Sequence, residues 1–249
     1  MSEQVELARH GDVAVLTLRR EHKLNALSMT LEAALLNALA TPEVRSSRAV
    51  ILTGAGRAFS SGADVTEVRE LDADAITAYY RGSGRVYEAV AALPQATVSA
   101  IHGYCLGAGL ELALATDLRI ADETAVFALP EVALGIVPSS GGLTRLVRML
   151  GTARTRELVL LGGRIDAAEA GRLGLVTEVT PAGLAVERAR ELAEQLAGKP
   201  QLALAVAKQA IDAVAESSTA AALLVERLAY GMLNHTAAAR NRTGAAGPT

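Results

Sequence analysis

The sequence predicts an α/β protein with its strands early and its helices late. Short apolar strands alternate with helix-period segments through the first half, which is the pattern of a mainly parallel sheet. Past Gly141 the pattern is helical almost throughout. The apolar fraction, 51% of 249 residues, is built from 50 alanines together with leucine and valine, with no Trp, 2 Phe and 5 Tyr. A core with so few rings must rest on closely approaching backbones. The same shortage excludes base-stacking modes of nucleic-acid binding, and a net charge of −3 lacks the basic footprint that phosphate backbones require.

Residues 5–7 and 13–18 read as strands around the turn His10-Gly11-Asp12. Residues 28–40 read as a helix capped by Ser28, with Leu31, Leu35 and Leu39 on one face. A buried strand follows at 49–53, a helix at 73–93, a strand at 98–101, a helix at 107–115 and a strand at 118–121. Helices are then expected at 141–150, 155–161, 167–173, 181–197, 201–215 and 219–233, interrupted by a strand at 175–179. The uncharged stretch 89–110 is long enough to span a bilayer. Its Pro94, Gln95, Thr97, Ser99, His102 and three glycines make it a buried strand and turn instead, so no membrane segment is expected. The start, MSEQVELARHGD, carries acids and no apolar run, unlike a signal peptide. With the single cysteine, Cys105, this implies a reducing, cytoplasmic setting. Cys105 reads as a small buried apolar residue rather than a nucleophile.

There is no phosphate-loop Gly-Lys-Ser/Thr, HExxH, CxxC or GxSxG. The glycine pairs 54/56 and 82/84 lack the third glycine of a dinucleotide fingerprint, and the four histidines are scattered, so no metal site is expected. Two segments do carry chemistry. Residues 54–65 (GAGRAFSSGADV) leave a strand crowded with small residues, which lets a ligand or backbone come close. Residues 101–113 (IHGYCLGAGLELA) leave a strand, pass glycines and open a helix whose free N–H groups stabilise negative charge. Glu111 sits one turn into that helix between leucines, and Glu131 sits in the apolar run LPEVALG before Pro138-Ser-Ser-Gly-Gly142. Each acid reads either as functional or as a buried, hydrogen-bonded carboxylate.

At these residues the sequence resembles the enoyl-CoA hydratase/isomerase (crotonase) superfamily, over most of the chain and in the family's order. The matching stretches are 22–27 (HKLNAL), 61–64 (SGAD), 102–112 with Asp117, 127–142, and 164–176 (RIDAAEAGRLGLV). The resemblance implies a crotonase-like ββα spiral core over 1–195, a C-terminal helical trimerisation region over 196–240 and a disordered tail over 241–249. It implies an acyl-CoA substrate, no cofactor beyond the coenzyme A of that substrate, and a homo-oligomer, either a trimer or a dimer of trimers.

The implied activity is enoyl-CoA hydration, the reversible syn addition of water to a 2-enoyl-CoA through a stabilised enolate. A double-bond isomerase, a carnitinyl-CoA-type dehydratase and a non-catalytic CoA-binding scaffold are the alternatives. By motif position, the N–H groups of Ala63 and Ala108 form the oxyanion hole. Glu111 would handle the water and Glu131 the α-carbon proton. Retention of both acids favours hydration over isomerisation, which often needs one. Lys23, Leu24, Asp64, Val65, Gly107 and Ser139 fall where the family contacts the thioester and the coenzyme A arm, though for Asp64 a turn role is the favoured reading. Ser139 and Ser140 replace the more usual Gly-Ala. Their hydroxyls could meet Glu131 or substrate, but a cap on the helix beginning at Gly141 is the favoured reading. The acyl pocket is expected to draw on the segment 65–85, with Tyr79, Tyr80, Tyr87 and Tyr104 the rings available. Arg240 and Arg242 are the basic residues at the C-terminus that could meet the phosphates.

Overall fold

Small residues at the sheet surface and short strands at its edge decide the architecture. It was obtained as a computed structural model describing residues 4–69, 73–236 and 238. In chain order the elements are β1 (Val5–His10), β2 (Val13–Leu18), α1 (Met29–Leu39), α2 (Pro42–Arg45), β3 (Ala49–Gly54), β4 (Ala58–Ser60), α3 (Val65–Arg69), α4 (Ala73–Ala91), β5 (Ala96–Ile101), β6 (Tyr104–Leu106), α5 (Ala108–Leu114), β7 (Leu118–Asp122), β8 (Val126–Ala128), α6 (Gly142–Leu161), β9 (Ile165–Asp166), α7 (Ala167–Leu173), β10 (Glu178–Thr180), α8 (Ala185–Ala197), α9 (Gln201–Ala215) and α10 (Thr219–Asn234). The first sheet runs β1-β2-β3-β5-β7-β10 and the second runs β4-β6-β8-β9. Only the hairpin β1/β2 and the pair β8/β9 are antiparallel. Each turn of the chain therefore lays one strand in the first sheet, steps to a short strand in the second, and returns through helix: β3-β4-α3-α4, then β5-β6-α5, then β7-β8-α6. This is the expected ββα spiral.

The alanine surplus acquires a place here. Ala185, Ala189, Ala193 and Ala197 recur every fourth residue of α8 and are buried against Val13, Val15, Ala49, Ile51, Val98, Ala100 and Ile120 on one face of the first sheet. The fully buried stripe of this helix is four methyl groups, with Val186, Leu192 and Leu196 packed partly buried beside it. Enlarging one of the four alanines costs about 1–3 kcal/mol of overpacking. The opposite face meets the larger core, with Leu31 and Leu35 of α1, Tyr87 and Val90 of α4, and Leu110 and Leu112 of α5.

Several expectations shift. The three-residue strands β4, β6 and β8, which build the second sheet, are not among the strands expected from the sequence, because three residues are too few to establish an alternation. The strand expected at 175–179 forms only at Glu178–Thr180, and the helix expected from 181 begins at Ala185. The segments 141–150 and 155–161 form one helix interrupted at Gly151, whose φ of 74° and ψ of 167° are not helical. Ser28 does cap α1, accepting from the N–H of Leu31 at 3.2 Å. Helices α9 and α10 bury no residue and pack chiefly on each other. Lys208 of α9 ties the pair to the core, donating to the carbonyls of Leu93 and Gln95 and pairing with Asp117 at 2.8 Å. Among the described residues no helix is long and apolar enough to cross a membrane. The tail 241–249 and Arg240 lie outside the described residues.

Candidate active site

The loop after β4 and the start of α5 are brought together by the parallel pairing of β4 with β6, and backbone hydrogen bonds tie that loop to Leu27. Its N–H donates to the Gly62 carbonyl at 2.7 Å and its carbonyl accepts from the Asp64 N–H at 2.9 Å. In a parallel bridge of this kind the intervening residue, Ala63, turns its own N–H to the other side. Ala108 is the first residue of α5, where helical geometry leaves the N–H without an intrahelical acceptor. Neither N–H has a hydrogen-bond partner among the described residues, and both residues line one cleft. The loops touch: a side chain at Gly62 would lie 3.7 Å from the Ala108 nitrogen. Gly107 has φ +51°, a conformation that side chains rarely adopt, and a Cβ there would lie 3.0 Å from Glu131 Oε1.

Two buried carboxylates face the same cleft in different surroundings. Glu111 Oε1 accepts from the N–H groups of Ser140 at 2.8 Å and Gly142 at 2.9 Å, at the start of α6. Burial raises its pKa, while those N–H groups and the Arg145 guanidinium oppose the rise. This corrects the expected serine cap. The residue before α6 is Gly141, no side chain of its own segment caps the helix, and the Glu111 carboxylate takes that place. Gly142 leaves the room for it, since a side chain there would meet Glu111 Cγ at 2.6 Å. Arg145 holds the loop by donating to the Ser140 carbonyl at 3.1 Å. Glu131 opens a short 3-10 turn behind Pro130. Its Oε2 is buried without a hydrogen-bond partner among the described residues. Burial, reinforced by the charge of Glu111, pushes its pKa up to about 7.

The cleft has about 110 Å³ open to the centre of a water-sized sphere, room for several waters. Of the residues singled out in the sequence, Ala63, Val65, Gly107, Ala108, Glu111, Glu131 and Ser139 line it. Tyr87, one of the rings expected near the acyl pocket, lines it too, and Leu134, Ile136 and Val137 join them. Lys23, Leu24 and Asp64 do not. Lys23 is exposed, and the Leu24 carbonyl accepts from the Ser61 N–H at 2.9 Å, so this segment lies against the loop after β4. The Asp64 carboxylate pairs with Arg20 at 2.6 Å and closes a turn on the Thr66 N–H, which is the turn role. Tyr104 stacks under Arg164 instead of entering the cleft, and the side chains of Tyr79 and Tyr80 lie outside the described residues. Cys105 is fully buried.

Two contributors carry weaker sequence signals. Asn25 is fully buried, accepts from the Arg20 N–H and donates to the carbonyls of Ala55 and Ala58, locking the segment before α1 to the turn between β3 and β4. Glu32 is a buried acid beside Leu31 on the inward face of α1. An acid at a core position of the helical period was its available signal. Among the described residues no group of three or more His, Cys, Asp or Glu could hold a metal ion.

Comparison with known proteins agrees with this geometry. The family model for enoyl-CoA hydratase/isomerase matches residues 8–246. The 2,3-dehydroadipyl-CoA hydratase of Escherichia coli is 38% identical over 237 residues, covering 95% of this chain and 92% of that protein. A probable enoyl-CoA hydratase of Mycobacterium tuberculosis is 38% identical over 227 residues, covering 90% and 87%. The crystal structure of an enoyl-CoA hydratase from Bacillus anthracis superposes with a TM-score of 0.90 at 35% identity, covering 99% of this chain and 98% of that one. An α/β spiral with two loop N–H groups and two buried acids on one cleft, matched along nearly its whole length, places the chain in the enoyl-CoA hydratase/isomerase family.

Proposed function

We propose that the chain is an enoyl-CoA hydratase acting on 2-enoyl-CoA thioesters. The observation that carries this reading is the pairing of two differently tuned carboxylates with two unpartnered N–H groups on one cleft. The thioester oxygen would sit between the N–H groups of Ala63 and Ala108, where negative charge grows as the enolate forms. Glu111, held at the helix start by two backbone donors, is the better placed to stay ionised. It orients a water and takes one of its protons while the hydroxyl bonds to the β carbon. Glu131, raised to about 7 and without a partner for Oε2, carries the proton delivered to the α carbon. Two acids whose environments separate their affinities for a proton divide the work in this way. The reaction is redox-neutral and asks for no group beyond the coenzyme A of the substrate. Lys23, Leu24 and the loop carrying Asp64 and Val65 would flank the coenzyme A arm.

The protein would act as a homo-oligomer in the cytoplasm, a trimer or dimer of trimers. Support for assembly is the apolar surface of α9 and α10, where Ile211, Leu228 and Tyr230 are 68%, 64% and 71% exposed. Such a surface marks a covered face. The deciding assay adds the protein to crotonyl-CoA and follows loss of the enoyl absorbance and appearance of 3-hydroxybutyryl-CoA. Turnover of 3-enoyl-CoA alone would establish the isomerase instead. Binding without turnover of either would leave the scaffold.

A further inference from the structure

One buried ionisable pair has no part in the mechanism above. Tyr87 of α4 is 1% exposed and lines the cleft, and its hydroxyl donates to Glu32 Oε1 of α1 at 3.0 Å. The lining of the cleft is uneven in exposure: Leu134, Ile136 and Val137 are 52%, 44% and 58% exposed, whereas Tyr87 is buried. Tyr87 is also the one aromatic side chain lining the cleft among the described residues.

Glu32 is an unexpected neighbour for it. The inward face of α1 is otherwise Leu31, Ala34, Leu35 and Leu39. Burial raises the Glu32 pKa to about 7 and the charges of Glu67 and Glu111 push the same way, with the Tyr87 hydrogen bond opposing. An apolar pair of similar volume would fill this space without burying a carboxyl. What the acid adds is direction. A tyrosine has two side-chain torsions, and a bond from its hydroxyl to a carboxylate anchored in a second helix removes the remaining freedom of the ring.

We propose that Tyr87, held in place by Glu32, is the blind end of the acyl pocket and restricts the enzyme to short 2-enoyl chains. Tyr87 is the specificity-determining residue and Glu32 its positioning residue. The inference rests on the reading of this cleft as an acyl-CoA site.

The test measures binding of butyryl-CoA and decanoyl-CoA, which cannot be hydrated, by calorimetry, and kcat/KM for crotonyl-CoA and trans-2-decenoyl-CoA. The wild-type protein is expected to favour the short member of each pair. Tyr87→Ala should raise the long-to-short ratio by about tenfold or more, the range in which one or two methylenes discriminate. Tyr87→Leu serves as a second variant should the alanine form fold poorly. Glu32→Leu should raise the ratio in the same direction through KM for the long substrate, and Glu32→Gln, which keeps a carbonyl acceptor for the hydroxyl, should restore it. Unchanged ratios in the Tyr87 variants would overturn the inference even with crotonyl-CoA hydrated. An equal effect of Glu32→Gln and Glu32→Leu would remove the positioning role. A shifted binding ratio with no hydration by the wild-type protein would instead sink the hydratase reading and leave the pocket assignment standing.

Discussion

Replacing Glu131 by glutamine should make the protein less active and should remove a loss of stability that the wild type suffers as the pH rises. The Glu131 carboxyl is 8% exposed and its Oε2 lacks a partner, and burial raises its pKa from 4.5 to about 7. A carboxyl raised by folding favours the folded state while protonated. Its contribution is whole below the unfolded value and is lost as the pH climbs through the folded one. At about 1.4 kcal/mol per pH unit the loss amounts to about 3 kcal/mol. Water on the open side of the cleft screens the ionised form, and about half of that is expected in solution. Glutamine never ionises, so the variant escapes the loss. Any cost of pairing the new amide is the same at every pH and cancels in the comparison. Between about pH 5 and about pH 8 the Glu131→Gln protein should therefore gain about 1.5 kcal/mol on the wild type, about 3–6 °C in Tm for a chain of this size. Thermal unfolding of both proteins at the two pH values measures it. Over the same range the wild-type kcat/KM for hydration should fall above about pH 7, as the proton needed at the α carbon is lost, and the variant should be slower by about 100- to 10,000-fold. A Tm difference that stays constant across the two pH values, or a variant hydrating crotonyl-CoA within tenfold of the wild type, would refute the assignment of Glu131 as a buried proton carrier.

Two further outcomes follow from the geometry. Ala108→Pro removes the Ala108 N–H assigned to the oxyanion site, at a helical position where proline is accommodated. Hydration should drop by about 100- to 1000-fold while circular dichroism stays unchanged, and a drop below tenfold would remove Ala108 from the oxyanion site. Placing charge on the outer helices, as Leu224→Glu with Leu228→Glu at positions 56% and 64% exposed, should convert an oligomer to monomers in analytical ultracentrifugation. A wild-type protein that already sediments as a monomer would contradict the proposed assembly.

The periodicity of the chain was enough to locate most of its helices and the strands of the first sheet. Leucines at every fourth position, a serine before α1 and alanines through α8 act over a few residues, and local pattern reads local structure. Family motifs likewise brought Ala63, Ala108, Glu111 and Glu131 into one proposal before any geometry was known, and all four line one cleft. What the sequence left open depends on residues far apart in the chain. β4, β6 and β8 are strands because they pair in series, and three residues are too few to establish an alternation of their own. The two acids look alike in sequence, each set among apolar neighbours. Folding brings Glu111 to the N–H groups of Ser140 and Gly142 and leaves Glu131 Oε2 without a partner among the described residues, and this difference supports the proposed division into base and proton carrier. Glu32 and Tyr87 lie 55 positions apart, and only the packing of α1 against α4 makes them a pair. Composition alone could name alanine as the commonest residue. The tertiary structure showed where its small size is needed: along α8, where a larger side chain would hold the helix off the sheet, and in the two loops whose backbones meet at the cleft.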